Sequence, residues 1–244
     1  MNMEFQTLGR GEEGGKVCTD ILIYGRSGAG KTYRAATAPS PFIVSPDPTG
    51  HRSVPYPIPG KVVKTTNDII EVLEWFESGG HVEHGIKSCI IDGVSFIYDL
   101  YTTEVGNYFV QTQGAKDPDM MPIAARNKIM QEYRRLMRRC VSLTQTEHPV
   151  NAVFTTLEER LEEGDKSPYS VRPKFGSGNM NENFPGFFSV ITYIQPVGEE
   201  DEKGQPIKTR KMLFTEFKGI MARDRLGVFP DAAPVAVNLS EYLK

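Results

Sequence analysis

The sequence predicts an α/β fold: a mostly parallel sheet flanked by helices, with an antiparallel hairpin at one edge near the C-terminus. Three observations predict it. Short apolar runs alternate with helix-period segments as far as residue 156, and such alternation builds parallel strands joined by crossover helices. Two later runs, 187–197 and 208–217, are joined by the acidic turn GEEDEKGQP, a connection short enough for a hairpin and too short for a crossover. Composition agrees, since 39% hydrophobic and 24% charged residues over 244 positions suit one sizeable globular core and are few for two.

The elements follow in order. Residues 17–25, VCTDILIYG, read as a strand, and 30–38 as a short helix stopped by Pro39 and Pro41. PFIVS (41–45) and KVVKT (61–65) are two further strands, separated by a turn-rich stretch. Ile69, Val72, Leu73 and Phe76 share one face of a helix that Gly79 and Gly80 end. KSCIIDG (87–93) is a buried strand ending in an acid, followed by a helix over 94–110 and a break at 111–122. A long helix over about 124–146 repeats Ile129, Tyr133, Leu136 and Cys140 at spacings of three and four, and leads to the strand VNAVFTT (150–156). Residues 157–182 have no sustained period and read as a polar loop. The expected organisation is a flexible segment at 1–16, a single core at 17–235 and a tail at 236–244.

Gly25-Arg26-Ser27-Gly28-Ala29-Gly30-Lys31-Thr32 matches G-x-x-x-x-G-K-[ST] at each fixed position, between a strand and a helix. Glycines let successive N–H groups turn inward as an anion nest, and a following helix adds its positive end. The motif assigns all eight residues to a nucleotide's phosphates, with Lys31 on the β- and γ-phosphates and the Thr32 hydroxyl on Mg²⁺. Asp92, ending an apolar strand, is the second metal-binding group. Gly93 follows it where a water-activating Glu often stands, so any base comes from elsewhere.

Composition narrows the class. No run approaches the roughly 18 apolar residues of a membrane span, and the polar N-terminus is unlike a secretory signal. Cys18, Cys89 and Cys140 are isolated, which indicates neither a disulfide framework nor a metal knuckle and suits a reducing, cytoplasmic setting. The net charge of −3 provides no global field for nucleic acid, so DNA binding would need a local groove or an assembly.

Four segments taken together, ILIYGRSGAGKTYRAATAP, SCIIDGVS, NAVFTTLEER and GIMARDRLGVFPD, resemble the phage RecA-like nucleotide-binding proteins, over about residues 20–231. Some of those are ATPases that stimulate single-strand annealing in recombination. The resemblance implies a RecA-like P-loop NTPase core that binds ATP and Mg²⁺ and forms a homo-oligomer, ring or filament. It would act in the cytoplasm of an infected host on single-stranded DNA, or through an annealing or single-strand-binding protein. The alternative is a nucleotide-gated scaffold with negligible hydrolysis.

The same resemblance implies further site residues. RecA-type cores carry the catalytic acid at the end of the strand beside the P-loop strand, which corresponds to Asp47 in IVSPDPTG. A polar γ-phosphate sensor ends the strand after the long helix, which points to Thr156. ARDRLG is similar to the K-N-R-F-G motif of bacterial RadA proteins, so Arg223 or Arg225 would reach a neighbour's nucleotide as an arginine finger. The polar segment would be a DNA loop, in which Arg172, Lys174 and Phe175 supply the cations and stacking ring that single strands need.

Overall fold

A computed structural model of the chain describes residues 18–47, 49–113, 121–162, 167–176, 178–200, 206–230, 232–233 and 237–244. The expected lead-in at 1–16 and most of the break at 111–122 lie outside them. The first half runs β1 (Asp20–Gly25), α1 (Lys31–Ala35), β2 (Pro41–Ser45), β3 (Gly60–Val62), α2 (Thr66–Glu77), β4 (Ser88–Asp92) and α3 (Val94–Gln113). The second runs α4 (Ile123–Ser142), β5 (Asn151–Arg160), β6 (Val171–Pro173), α5 (Gly178–Asn183), β7 (Val190–Glu200), β8 (Pro206–Leu213), β9 (Arg223–Asp224) and β10 (Ala232–Ala233).

The strands form one sheet in the order β10-β8-β7-β1-β5-β4-β2-β3, with β6 on β5 and β9 on β7. The pairs from β7 through β1, β5, β4 and β2 to β3 are parallel. The β7–β8 hairpin is antiparallel and extends the sheet on the β1 side, as the sequence predicts.

Strand parity divides the interior in two. Alternate side chains point to opposite faces, so Leu22, Tyr24, Cys89, Ile91, Ala152 and Phe154 join one core. Ile21, Ile23, Ile90 and Val153 join the other. Helices α2, α3 and α4 cover the first face through Ile69, Leu73, Val94, Tyr133 and Met137. The capping box of Thr65 and Asp68 starts α2. Ala35 of α1 and the C-terminal residues Phe229, Leu239 and Leu243 cover the second. The described part of the expected tail, residues 237–244, packs onto the core: Leu239 and Leu243 are buried, and Asn151 Nδ2 donates to the Lys244 carbonyl at 2.8 Å.

Two further expectations change. Helix α1 is only five residues long, so its dipole at the glycine-rich loop is smaller than that of a full helix. Part of the polar stretch 157–182 is regular structure: β5 continues to Arg160 and pairs with β6, setting Glu159 opposite Arg172. A charged cross-strand pair replaces apolar alternation there, which is why periodicity does not reveal it.

Candidate functional site

The loop between β1 and α1 turns through Gly28 (φ 74°) and Gly30 (φ 90°), left-handed conformations that side chains with a Cβ rarely adopt. Lys31 arches back over this loop, its Nζ donating to the Arg26 carbonyl at 2.8 Å and the Gly25 carbonyl at 3.2 Å. Burial pulls its ammonium below the ordinary lysine value, against the opposing charges of Asp92 and Glu158. Arg26 is held by Glu158, 3.2 Å away, which also accepts from Arg160 and from Tyr193 at 2.8 Å each. Burial works against the Glu158 charge, but these donors outweigh it and keep the carboxyl below its usual range.

Asp92 is buried at the end of β4, and two hydroxyls fix it, one of them held in turn by a backbone N–H. Thr32 Oγ1 donates to Oδ1 at 2.8 Å, Thr155 Oγ1 donates to Oδ1 at 2.6 Å, and the Gly93 N–H donates to the Thr155 hydroxyl at 2.8 Å. Burial raises the Asp92 carboxyl above the ordinary value; the Asp47 charge adds to this, and the two threonine hydroxyls oppose it. Gly93 has φ 98°, and a Cβ there would meet Phe96 at 2.7 Å, so this backbone does not accommodate the glutamate that other families place after the acid.

The threonine beside Asp92 is Thr155, while both Thr155 and Thr156 line the cleft. Asp92 and Thr155 are register partners, and Thr155 shares parity with Val153, on the α1 face. Thr156 shares parity with Phe154 on the other face, and although it borders the cleft its hydroxyl donates to the Lys174 carbonyl.

Asp47 does reach the cleft, but from a different strand position than the resemblance implies. Strand β2 lies beside β4, not beside β1, from which β5 and β4 separate it. Its Oδ1 accepts from the Thr49 N–H and hydroxyl at 2.8 Å each. The Oδ2 atoms of Asp47 and Asp92 lie 3.1 and 2.8 Å from the point where a Cβ on Gly50 would sit, so both carboxylates face one small space that the glycine leaves open. Burial works to raise the Asp47 carboxyl, but the Thr49 and Gly50 donors prevail and hold it below its ordinary value.

These groups line a cleft of about 470 Å³ together with Tyr33, Ser95, Phe96 and Arg210. Arg210 is the residue that sequence reasoning misses. The only signal was a basic run, KTRK (208–211), on a predicted strand, and nothing in it says that β8 lies two strands from β1.

A magnesium-bound nucleoside triphosphate suits this set of groups: a glycine-rich loop, one lysine, one threonine hydroxyl and one buried carboxylate. Among the described residues no group of three His, Cys, Asp or Glu could hold a metal by itself. A family model described as AAA domain matches residues 19–226, from the residue before β1 to beyond β9. The chain belongs to the AAA-domain family. Such domains are nucleotide-binding, generally ATPases that use Mg²⁺. No curated protein matches the chain.

The remaining candidates in this AAA-domain chain divide between structure and surface. Arg223 lies opposite Ile191 in β7, level with Leu22 and short of the P-loop. Its Nη2 donates to the Pro185 and Phe188 carbonyls, so its guanidinium is engaged inside its own subunit. Asp224 shapes the turn by accepting the N–H groups of Leu226, Val228 and Phe229 at 2.8, 2.6 and 2.7 Å. Arg225 is the exposed cation of the motif.

Of the three DNA candidates, only Lys174 is exposed. Arg172 is buried, with Nε 2.6 Å from Glu159 and Nη1 3.5 Å from Glu182. Phe175 is 0% exposed, stacked on Phe188 and tilted against Phe184 at centroid distances of 5.9 and 5.4 Å, so it offers no face to a base. Phe175→Ala is accordingly expected to cost about 3–5 kcal/mol of stability, read from chemical denaturation. An unchanged midpoint with reduced DNA affinity would instead restore the stacking role.

Proposed function

We propose that this protein is an ATP hydrolase that couples its nucleotide state to single-stranded DNA, by binding the strand or by loading an annealing protein. The nucleotide part rests on one observation, the convergence of Lys31, Thr32, Asp92 and Thr155 around the P-loop. Lys31 exchanges its loop carbonyls for the β- and γ-phosphates. Thr32 and Asp92 hold Mg²⁺, which when bound neutralises charge on those phosphates. Thr155 keeps Asp92 aimed at the metal, and Asp47 orients the attacking water. A carboxylate held below its ordinary pKa is the weaker proton acceptor, which favours slow turnover by the protein alone.

The DNA part is supported by the phage RecA-like resemblance and by exposed groups near β6. Lys174, Arg160 and Lys218 are exposed, and Lys218 Nζ lies 5.2 Å from the ring centroid of Phe217, itself 51% exposed. The turn that carries them is tied to Ser170 and Val171 through the Gly219 carbonyl, at 2.8 and 3.2 Å. Cations beside an open ring are the elements of sequence-tolerant strand binding. In an assembled homo-oligomer, Arg225 is the member of the ARDRLG turn able to meet a neighbour.

A second reading, a nucleotide-gated scaffold, draws on the weakened basicity of Asp47. ATP turnover measured with and without a single-stranded oligonucleotide separates the two. Stimulation by the strand, reduced by Lys174→Glu or Phe217→Ala, is the expected result. Tight ATP binding with no turnover under either condition supports the scaffold instead.

A further inference from the structure

We propose that Arg210 contacts the bound triphosphate from within the same subunit, a phosphate-binding cation that the P-loop motif does not include. This deepens, and rests on, the reading of the cleft as a nucleotide site.

Three observations place it there. Arg210 shares the parity of Met212 and Phe214, which belong to the core on the α1 face, so β8 directs it to the side of the sheet that carries the phosphate loop. Its Nε, Cδ and Cζ lie 2.9, 3.1 and 3.1 Å from where a Cβ on Gly30 would sit, so the guanidinium packs against the bare α-carbon of the residue before Lys31. It also lines the cleft that Lys31, Thr32 and Asp92 line.

Arg210 has a cation for a near neighbour, and among the described residues no carboxylate pairs with it. Among the described residues its side chain has no hydrogen bond or ion pair, whereas Arg26, Arg139 and Arg172 are paired with Glu158, Glu77 and Glu159. Arg34, on α1, is close enough for Arg210 to add to the effect of burial, which is the larger, in lowering its guanidinium below the ordinary value. Lys31 lines the same cleft, as do the carboxylates of Asp47 and Asp92. The like charges of Arg34 and Arg210 repel, and an anion between them relieves that repulsion. A guanidinium fork matches phosphate oxygens two at a time.

The consequence is specific. An arginine acting in cis gives each subunit its own charge-neutralising group, so phosphate binding does not wait for a neighbour's Arg225. Such groups can be supplied in cis or in trans, and a mixing experiment distinguishes the two.

The test uses Arg210→Met, which keeps an apolar stem against Gly30, and Arg210→Lys, which keeps the charge and loses the fork. Binding of a fluorescent ATP analogue with Mg²⁺ is measured first on the unaltered protein; absence of binding there overturns the nucleotide reading and this proposal with it. With binding established, Arg210→Met is expected to melt as the unaltered protein does and to bind ATP about 10- to 100-fold more weakly, with Arg210→Lys intermediate. If Arg210→Met does not fold, Arg210→Lys carries the test through a several-fold loss. Unchanged affinity in folded Arg210 variants overturns the proposal. The cis assignment is tested by mixing Arg210→Met with Lys31→Ala: no recovery of turnover is expected, and recovery would show that Arg210 serves a neighbouring subunit.

Discussion

Lys31→Ala is expected to abolish turnover and to weaken ATP binding by about two orders of magnitude or more, while leaving the fold intact. The ammonium lies on the cleft wall, and its bonds run to loop carbonyls that water can satisfy. Removing it costs little in the free protein. In the complex it forfeits charge-assisted bonds to two phosphates, each worth roughly 1.5–3 kcal/mol. Burial already holds this ammonium below its ordinary value, and an anion at the same place favours its charged form again. ATP affinity should therefore fall as pH rises far enough to neutralise Lys31, a dependence that Lys31→Ala loses. Calorimetric titration of both proteins across alkaline pH checks the size and the sign.

Asp92→Asn is expected to separate stability from activity. Burial raises the Asp92 carboxyl in the fold above the unfolded value of about 3.9. Between those two values the folded state binds more protons than the unfolded state, so stability falls as pH rises, and above the folded value the penalty is complete. At neutral pH the buried charge thus destabilises the protein when no metal offsets it. Asparagine removes that charge and still offers Oδ1 to the hydroxyls of Thr32 and Thr155, which approach that atom at 2.8 and 2.6 Å. The melting temperature without Mg²⁺ and nucleotide should equal or exceed that of the unaltered protein. Turnover should fall by about 10²–10³-fold, because metal charge stabilisation is worth several kcal/mol. A melting temperature well below that of the unaltered protein would mean that the carboxylate charge is needed to hold the fold together.

The fold and the centre of the site were legible because both depend on local pattern. Apolar runs such as DILIYG and SCIID are buried along their length in the sheet, and the P-loop is contiguous in sequence. Parity was legible as well, yet easily overlooked: counting twos from Val153 places Thr155 on the α1 face and Thr156 off it. Strand order was not legible. Whether β2 sits beside β1 or β4, and whether β8 comes near the phosphate loop, depends on long-range pairing, so the setting of Asp47 and the role open to Arg210 emerge only from the sheet. Phe175 misled for a different reason. Its neighbours in VRPKFGSG are polar or small, while the rings that bury it, Phe184 and Phe188, arrive from a later segment. Arg172 looked like a cation available to DNA because Glu159, its partner, stands on another strand.

Isothermal titration of the folded protein with ATP in the presence of Mg²⁺ tests the central claim most directly. Uptake of about one nucleotide per chain, weakened when Mg²⁺ is removed, is the predicted result. A properly folded sample that takes up neither ATP nor GTP with the metal present would contradict the account.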